Sequence, residues 1–201
     1  MKSTEVSYYN DCNQIENKIW MMLEEGASNR NASFHLPIFI CGKHDARIVV
    51  LRKANRSKNL IQFHSDIRSN KVRLLKKDVR ASLLFYDKNE KIQLRINVNC
   101  KINYKNEITE DSWKNTAQMS RKCYLAENAP GSISKNPTSG LNTKIEKMKY
   151  SPEESELGYE NFCVIQCFIE KIEWLYLAAK GHRRLLIDFK NFKKKYSWMT
   201  P

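Results

Sequence analysis

Four short stretches of this chain carry side chains suited to gripping a phosphate. They are Arg47-Ile-Val-Val-Leu-Arg52, Phe63-His-Ser-Asp-Ile-Arg-Ser-Asn-Lys71, Ala81-Ser-Leu-Leu-Phe-Tyr86 and Gln93-Leu-Arg95. Successive side chains of a strand leave on opposite faces, so Arg47, Val49 and Leu51 share one side while Ile48, Val50 and Arg52 share the other. Each face therefore carries an arginine beside apolar groups. A guanidinium pinned on a half-buried strand suits a phosphate because its planar fork gives paired, charge-assisted hydrogen bonds. Ser65, Arg68, Ser69 and Lys71 add further donors. Taken singly, Arg47 and Arg52 read equally well as edge-strand charges that discourage sheet-to-sheet aggregation. His35 and His64 read as half-buried structural histidines.

The elements that must position these groups are short and β-rich. Asp11 is expected to cap a helix in which Ile15, Ile19, Met22 and Leu23 recur at helical spacing, with Gly26 and Asn29 as the stop. Five runs then follow, His35 to Ile40, Arg47 to Arg52, Leu60 to Ser65, Ala81 to Asp87 and Lys91 to Tyr104, separated by turn residues. This is a meander and not a βαβ series. Asp66 is expected to cap a helical turn containing Val72, Leu74 and Leu75, with its amides near Ser69. Thr109 would cap a second helix, Glu110 to Ala126, that aligns Trp113, Ala117, Ser120 and Tyr124. Residues 128–158 read as a long loop with at most a short helix around Lys144 to Lys149. Strands Phe162 to Leu177, Arg183 to Phe189 and Tyr196 to Met199 close the chain.

With 201 residues, 41% of them hydrophobic, the chain is long enough for one substantial core, and a single domain over 1–201 is expected. Thirty-five Lys and Arg against 22 Asp and Glu leave a formal charge of +13, which attracts polyanions of any class. No helix-turn-helix, zinc-finger or single-strand-binding signature accompanies that charge, so it reads as solvated surface and not as a nucleic-acid face. The six cysteines include no C-x-x-C pair and suggest neither a metal site nor a redox motif. Cys163 and Cys167 share a face of an apolar run, where cysteine behaves as a small hydrophobe. No stretch approaches the roughly 20 apolar residues needed to span a bilayer, and a soluble, cytoplasmic protein is expected.

In their order and intervals, the phosphate-gripping residues resemble the pyridoxamine 5'-phosphate oxidase family of FMN-binding split barrels. In that family an R-x-V-[VL]-L-[KR] strand, an aromatic-x-[ST]-[DN] strand end, an [RS]-x-K turn and a [QR]-containing strand hold the flavin. The matching positions here are Arg47, Ile48, Val49, Val50, Leu51 and Arg52, then His64 with Ser65, Ser69 with Lys71, and Gln93. Arg68 joins the same turn. The similarity extends to Trp113, Arg121, Tyr124, the segment Gly181-His-Arg-Arg184 and the ending Trp198-Met-Thr-Pro201.

The resemblance implies a mainly β (α+β) fold, an antiparallel six-stranded split β-barrel with flanking helices, and FMN as cofactor. It implies a homodimer, a small-molecule substrate and an oxidoreductase that passes a hydride from an amine or alcohol to the flavin, with reoxidation by oxygen. The alternative within the fold is a reductase or flavin carrier without vitamin B6 oxidase activity. Substrate contacts are implied for Arg52, Trp113, Arg121, Tyr124, His182 and Arg183, and a flavin contact for Arg184. The family's R-L-H-D-R motif is replaced by Gly181-His-Arg-Arg-Leu-Leu-Ile-Asp188, which implies weak or absent turnover of pyridoxamine 5'-phosphate. Glu173 and Asp188 have no support as an acid/base pair beyond being carboxylates.

Overall fold

A computed structural model describes residues 8–189 and 193–201. In chain order the principal elements are α1 (Cys12–Ser28), β1 (Ile38–Cys41), β2 (Asp45–Ile48), β3 (Leu51–Asn55), β4 (Leu60–Asp66), α2 (Asn70–Leu75), β5 (Arg80–Asp87) and β6 (Ile92–Asn103). They continue with α3 (Glu107–Lys114), α4 (Gln118–Arg121), α5 (Thr143–Glu146), α6 (Pro152–Glu156), β7 (Phe162–Tyr176), β8 (Arg183–Asp188) and β9 (Lys195–Met199). Within these residues no helix is long and apolar enough to cross a membrane. The chain forms two compact units, one comprising residues up to Phe63 with Arg80–Cys100 and Cys167–Pro201, the other His64–Val79 with Lys101–Gln166.

The first unit is built on the sheet. Its order is β2-β1-β5-β6-β7-β4-β3, with β8 beside β7 and β9 beside β8. The ladders β1–β2, β1–β5, β3–β4, β5–β6, β7–β8 and β8–β9 are antiparallel. The path ends at β2 and at β3 without closing, which is the mostly antiparallel split barrel with flanking helices that the sequence implies. Nine strands pair among the described residues where six were expected. Strict alternation buries Leu83, Phe85, Leu94, Ile96, Ile172, Trp174, Leu185 and Ile187. α1 packs on β3, with its Ile15, Ile19, Trp20 and Leu23 buried.

One of the extra strands comes from the arginine run. Arg47 to Arg52 is not one strand: Arg47 pairs with Phe39 on β1, whereas Leu51 pairs with Phe63 on β4. Between them the Val49 amide donates to the Pro37 carbonyl at 3.0 Å, which fills one donor where the ladder changes partner. The expected face alternation nevertheless persists through that corner: Val49 and Leu51 are buried, whereas Ile48 and Arg52 are exposed.

Asp11 caps α1 as expected, its Oδ1 accepting from the Gln14 amide at 2.8 Å. Gly26 is not the stop. It lies inside the helix, where an added Cβ would sit 2.8 Å from the carbonyl carbon and oxygen of Phe34. Glycine is needed there for close approach, and the helix ends one turn later, with the Asn29 amide on the Glu25 carbonyl at 2.7 Å. His35 is the structural histidine expected, its Nδ1 2.7 Å from the Gly26 carbonyl oxygen.

Glu16 is a charged residue buried on α1. Both its oxygens accept from Lys194 Nζ at 2.8 Å, the Tyr196 hydroxyl donates to Oε2, and Arg56 lies at 3.5 Å. Burial alone would push this carboxyl up, but the hydrogen bonds from Lys194 and Tyr196 and the nearby positive charges outweigh it and hold it below the usual value. A carboxyl depressed in the folded state stabilises fully above the unfolded value, 4.5, and that contribution disappears as pH falls through the lower folded value. Glu16→Gln is therefore expected to give a shallower loss of stability below about pH 4.5 than the parent protein, measured by urea unfolding from pH 7 to pH 2.5. Identical acid limbs would contradict this. Burial and Glu16 push the Tyr196 hydroxyl up to about 12, so its share is complete below pH 10 and lost only as pH rises through that higher value.

The second unit holds the helices after β6. Asn106, and not Thr109, is the cap of α3; Thr109 returns the bond from the third position, with its Oγ1 accepting from the Asn106 amide at 2.8 Å. The expected helix Glu110 to Ala126 is broken into α3, α4 and a 3-10 turn, Lys122–Leu125. Side chains compete with the backbone at the break. Thr116 Oγ1 donates to the Ser112 carbonyl at 2.7 Å and Asn115 Nδ2 to the Asp111 carbonyl at 2.9 Å. The 128–158 stretch contains two short helices, α5 and α6, the latter with a Ser151–Glu154 capping box behind Pro152.

Candidate functional site

The cationic and hydroxyl residues expected at the end of β4 meet within the second unit. Ser65 is the penultimate residue of β4 and Ser69 occupies the N-cap position of α2. The Ser69 side chain makes no capping bond to its own helix. Its Oγ instead lies 3.2 Å from Ser65 Oγ, and Lys71 Nζ donates to Ser65 Oγ at 2.9 Å and to Ser69 Oγ at 3.4 Å. Both hydroxyls are buried, at 4% and 2% exposure, and the ammonium is half-buried. A positive charge thus stands over two hydroxyl donors at a helix start, a donor set of the chemistry that a phosphate dianion requires.

Asp66 does not cap α2 as expected. Its carboxylate is held by Arg68, which donates from the backbone at 2.8 Å, from Nε at 3.0 Å and from NH2 at 2.7 Å. That hydrogen bonding to Asp66 raises the Arg68 pKa still further, so the guanidinium is a permanent cation, but one already neutralised. Its outer nitrogens donate to the carbonyls of Ala126 at 3.0 Å and Glu127 at 3.3 Å. Arg68 therefore ties the β4–α2 turn to the start of the long loop. The two carbonyls were missed in the sequence because nothing local marks partners 58 and 59 residues away.

Beside this turn stands an aromatic cluster. The Phe162 ring lies 4.8 Å from His64, 5.0 Å from Trp113 and 5.1 Å from Tyr124. Trp113 Nε1 donates to Glu156 Oε2 at 2.7 Å. Arg121 stacks on the Trp113 ring at 4.7 Å, pairs with Glu156 and donates to the carbonyls of Thr116 and Trp113 at 2.9 and 2.8 Å. Three residues expected near substrate, Trp113, Arg121 and Tyr124, are thereby brought together, with Trp113 and Arg121 engaged inside the unit. Glu156, the acceptor that organises both, was missed because it sits in the irregular stretch. Burial pushes the nearby Cys163 thiol up to about 12, so it is a neutral, core thiol.

Residues 24–103 match the model of the pyridoxamine 5'-phosphate oxidase FMN-binding domain. Through that segment the chain is similar to the pyridoxamine 5'-phosphate oxidase family. No curated protein matches the chain by sequence. Among solved structures, a pyridoxamine 5'-phosphate oxidase-related, FMN-binding protein from Nostoc punctiforme is 17% identical, with a TM-score of 0.74 over 92% of this chain and 96% of that one. PhzG from Burkholderia lata, solved with tetrahydrophenazine-1-carboxylic acid, is 15% identical, with a TM-score of 0.71 over 96% of each chain. At such identities the likeness establishes the fold.

The family segment also spans the arginine run of the first unit. Arg47, on β2, pairs with Asp45, and its Nε is buried with no hydrogen-bond partner among the described residues. Ile48, Val49, Val50 and Leu51 form the corner between β2 and β3, and Arg52 is exposed on β3. Gln93 is half-buried on β6, opposite Tyr86. Near the carboxyl terminus His182 and Arg183 are exposed, with Arg183 Nε donating to Asn10 Oδ1 at 3.1 Å. Arg184 is paired with Glu173 at 2.8 Å, and Glu173 also takes Arg95. That carboxylate lines a groove of about 540 Å³ together with Arg95, Asn97 and Lys171. Glu173 is thus an ion-pair hub, which gives it an ordinary structural role.

Proposed function

We propose that this chain binds FMN, gripping its phosphate with Ser65, Ser69 and Lys71, and works as an FMN-dependent oxidoreductase on a small amine or alcohol. The observation that carries the reading is the Lys71 ammonium set 2.9 Å from the buried Ser65 hydroxyl and beside Ser69. Ser65 and Ser69 would donate their hydroxyl protons to phosphate oxygens while Lys71 offsets the charge. Arg68, locked by Asp66, would hold the turn in place. When bound, the flavin supplies the hydride acceptor and the site of reoxidation by dioxygen. A homodimer in the cytoplasm belongs to the same reading, supported by the family resemblance.

A second reading, a reductase or flavin carrier without B6 oxidation, is favoured by a specific observation. Trp113 and Arg121 spend their donors on Glu156 and on backbone carbonyls, and so are not arrayed around a substrate phosphate. Both readings predict a yellow protein with a flavin absorption spectrum that FMN restores after its removal; a colourless protein that takes up no FMN would end both. Peroxide formation with pyridoxamine 5'-phosphate under air then separates them, with a rate well below about 1 per second expected. Light scattering on the flavin-loaded protein tests the dimer.

A further inference from the structure

Two buried cysteines of the first unit face one another across neighbouring strands. Cys100 on β6 and Cys167 on β7 place their sulfurs 3.6 Å apart, and both are free thiols. We propose that they form a reversible disulfide when the protein meets peroxide, making this pair a modification site. Closing the gap to a bond of about 2.05 Å asks for a shift of only about 1.5 Å, within what rotation about the two Cα–Cβ bonds can supply on adjacent strands.

The two thiols are not equivalent. Cys167 has no exposed surface, whereas Cys100 retains 7%. Burial first, and then the Cys100 sulfur, pushes the Cys167 pKa well above its ordinary value, so Cys167 stays a thiol while Cys100 meets the oxidant. In the first step Cys100 sulfur attacks peroxide, the O–O bond breaks, and a sulfenic acid and one water form. In the second, Cys167 sulfur attacks the sulfenic sulfur, the S–O bond breaks, and the hydroxyl leaves as water with the Cys167 proton. Two thiols and one peroxide become one disulfide and two waters.

The location gives the bond a consequence. β6 leaves the first unit after Cys100 and β7 returns to it at Cys167, so the disulfide would close the whole excursion of residues 101–166 into a covalent loop. It would restrict the unfolded chain over that length.

The test uses the intact protein and added hydrogen peroxide, so its outcome does not depend on flavin or on any enzymatic activity. After graded exposure the protein is denatured in alkylating reagent and its thiols are counted. The expected result is a fall from six thiols to four, a single Cys100–Cys167 peptide in the mass map, and return to six after dithiothreitol. In C100S all five other thiols should survive the same exposure. Retention of all six thiols in the parent protein, a crosslink between other cysteines, or loss of thiols to sulfinic and sulfonic acids without the Cys100–Cys167 peptide would each overturn the proposal.

Discussion

Lys71→Ala is expected to weaken FMN binding by tenfold or more while leaving riboflavin affinity nearly unchanged. The ammonium donates to both hydroxyls of the Ser65–Ser69 cluster, whereas the neighbouring Arg68 charge is taken up by Asp66. A charge-assisted hydrogen bond to a phosphate contributes about 1.5–3 kcal/mol, which corresponds to roughly a ten- to hundredfold change in Kd. Riboflavin has no phosphate, so whatever the substitution does to the rest of the site falls on both ligands alike and cancels in the ratio. Ser65→Ala removes a neutral donor and should cost less, about 0.5–1.5 kcal/mol. Fluorescence titration of each flavin measures the ratio directly. Equal losses for FMN and riboflavin would remove Lys71 from the phosphate site.

Phe162→Ala is expected to destabilise the protein by about 3–5 kcal/mol, the ordinary cost of deleting a large buried ring that its surroundings cannot refill. Phe162 has no exposed surface and lies against His64, Trp113, Tyr124 and Tyr159. Collapse of those rings into the space is opposed by their other attachments. Trp113 is held by Glu156, and Gly158 already brings the backbone so close that an added Cβ would sit 3.1 Å from the Trp113 ring. The cavity should persist. Urea unfolding gives the loss, and a value under about 1 kcal/mol would mean that the cluster rearranges freely.

The fold was legible wherever period and burial agree. β5 and β6 alternate inward and outward almost without fault; β5 starts one residue before the expected bound and ends at it, and β6 is one residue shorter than expected at each end. Elements were misjudged where a local bond competes with the pattern. Arg47 to Arg52 has the composition of one strand, but its two halves pair with different neighbours, and no hydrophobic pattern records a change of partner. The Glu110 to Ala126 helix has a fair apolar stripe, yet Asn115 and Thr116 satisfy backbone carbonyls that the helix would have used.

At the candidate site, Ser65, Ser69 and Lys71 were legible because they fall within seven residues and one turn. Asp66 was read as a cap, since an aspartate before a helix usually is one; the cation two residues later claimed it. Glu156 and the carbonyls of Ala126 and Glu127 were not legible, because their partners are remote in sequence and their own segment has no periodicity. Their positions follow from how the loop is tied down.

The composition of the first unit from three separated segments has a consequence for the order of events during synthesis. Residues 64–166 of the second unit, apart from their own interruption, have all been synthesised before the last segment of the first unit is made. Until that segment emerges, the strands from β5 and β6 lack Ile172, Trp174, Leu185 and Ile187, and α1 carries Glu16 without Lys194 or Tyr196. The earliest helix in the chain is thus among the last to be completed. A nascent chain stalled before residue 194 would keep Arg56 beside that carboxylate but lack the two donors that hold it in the finished protein.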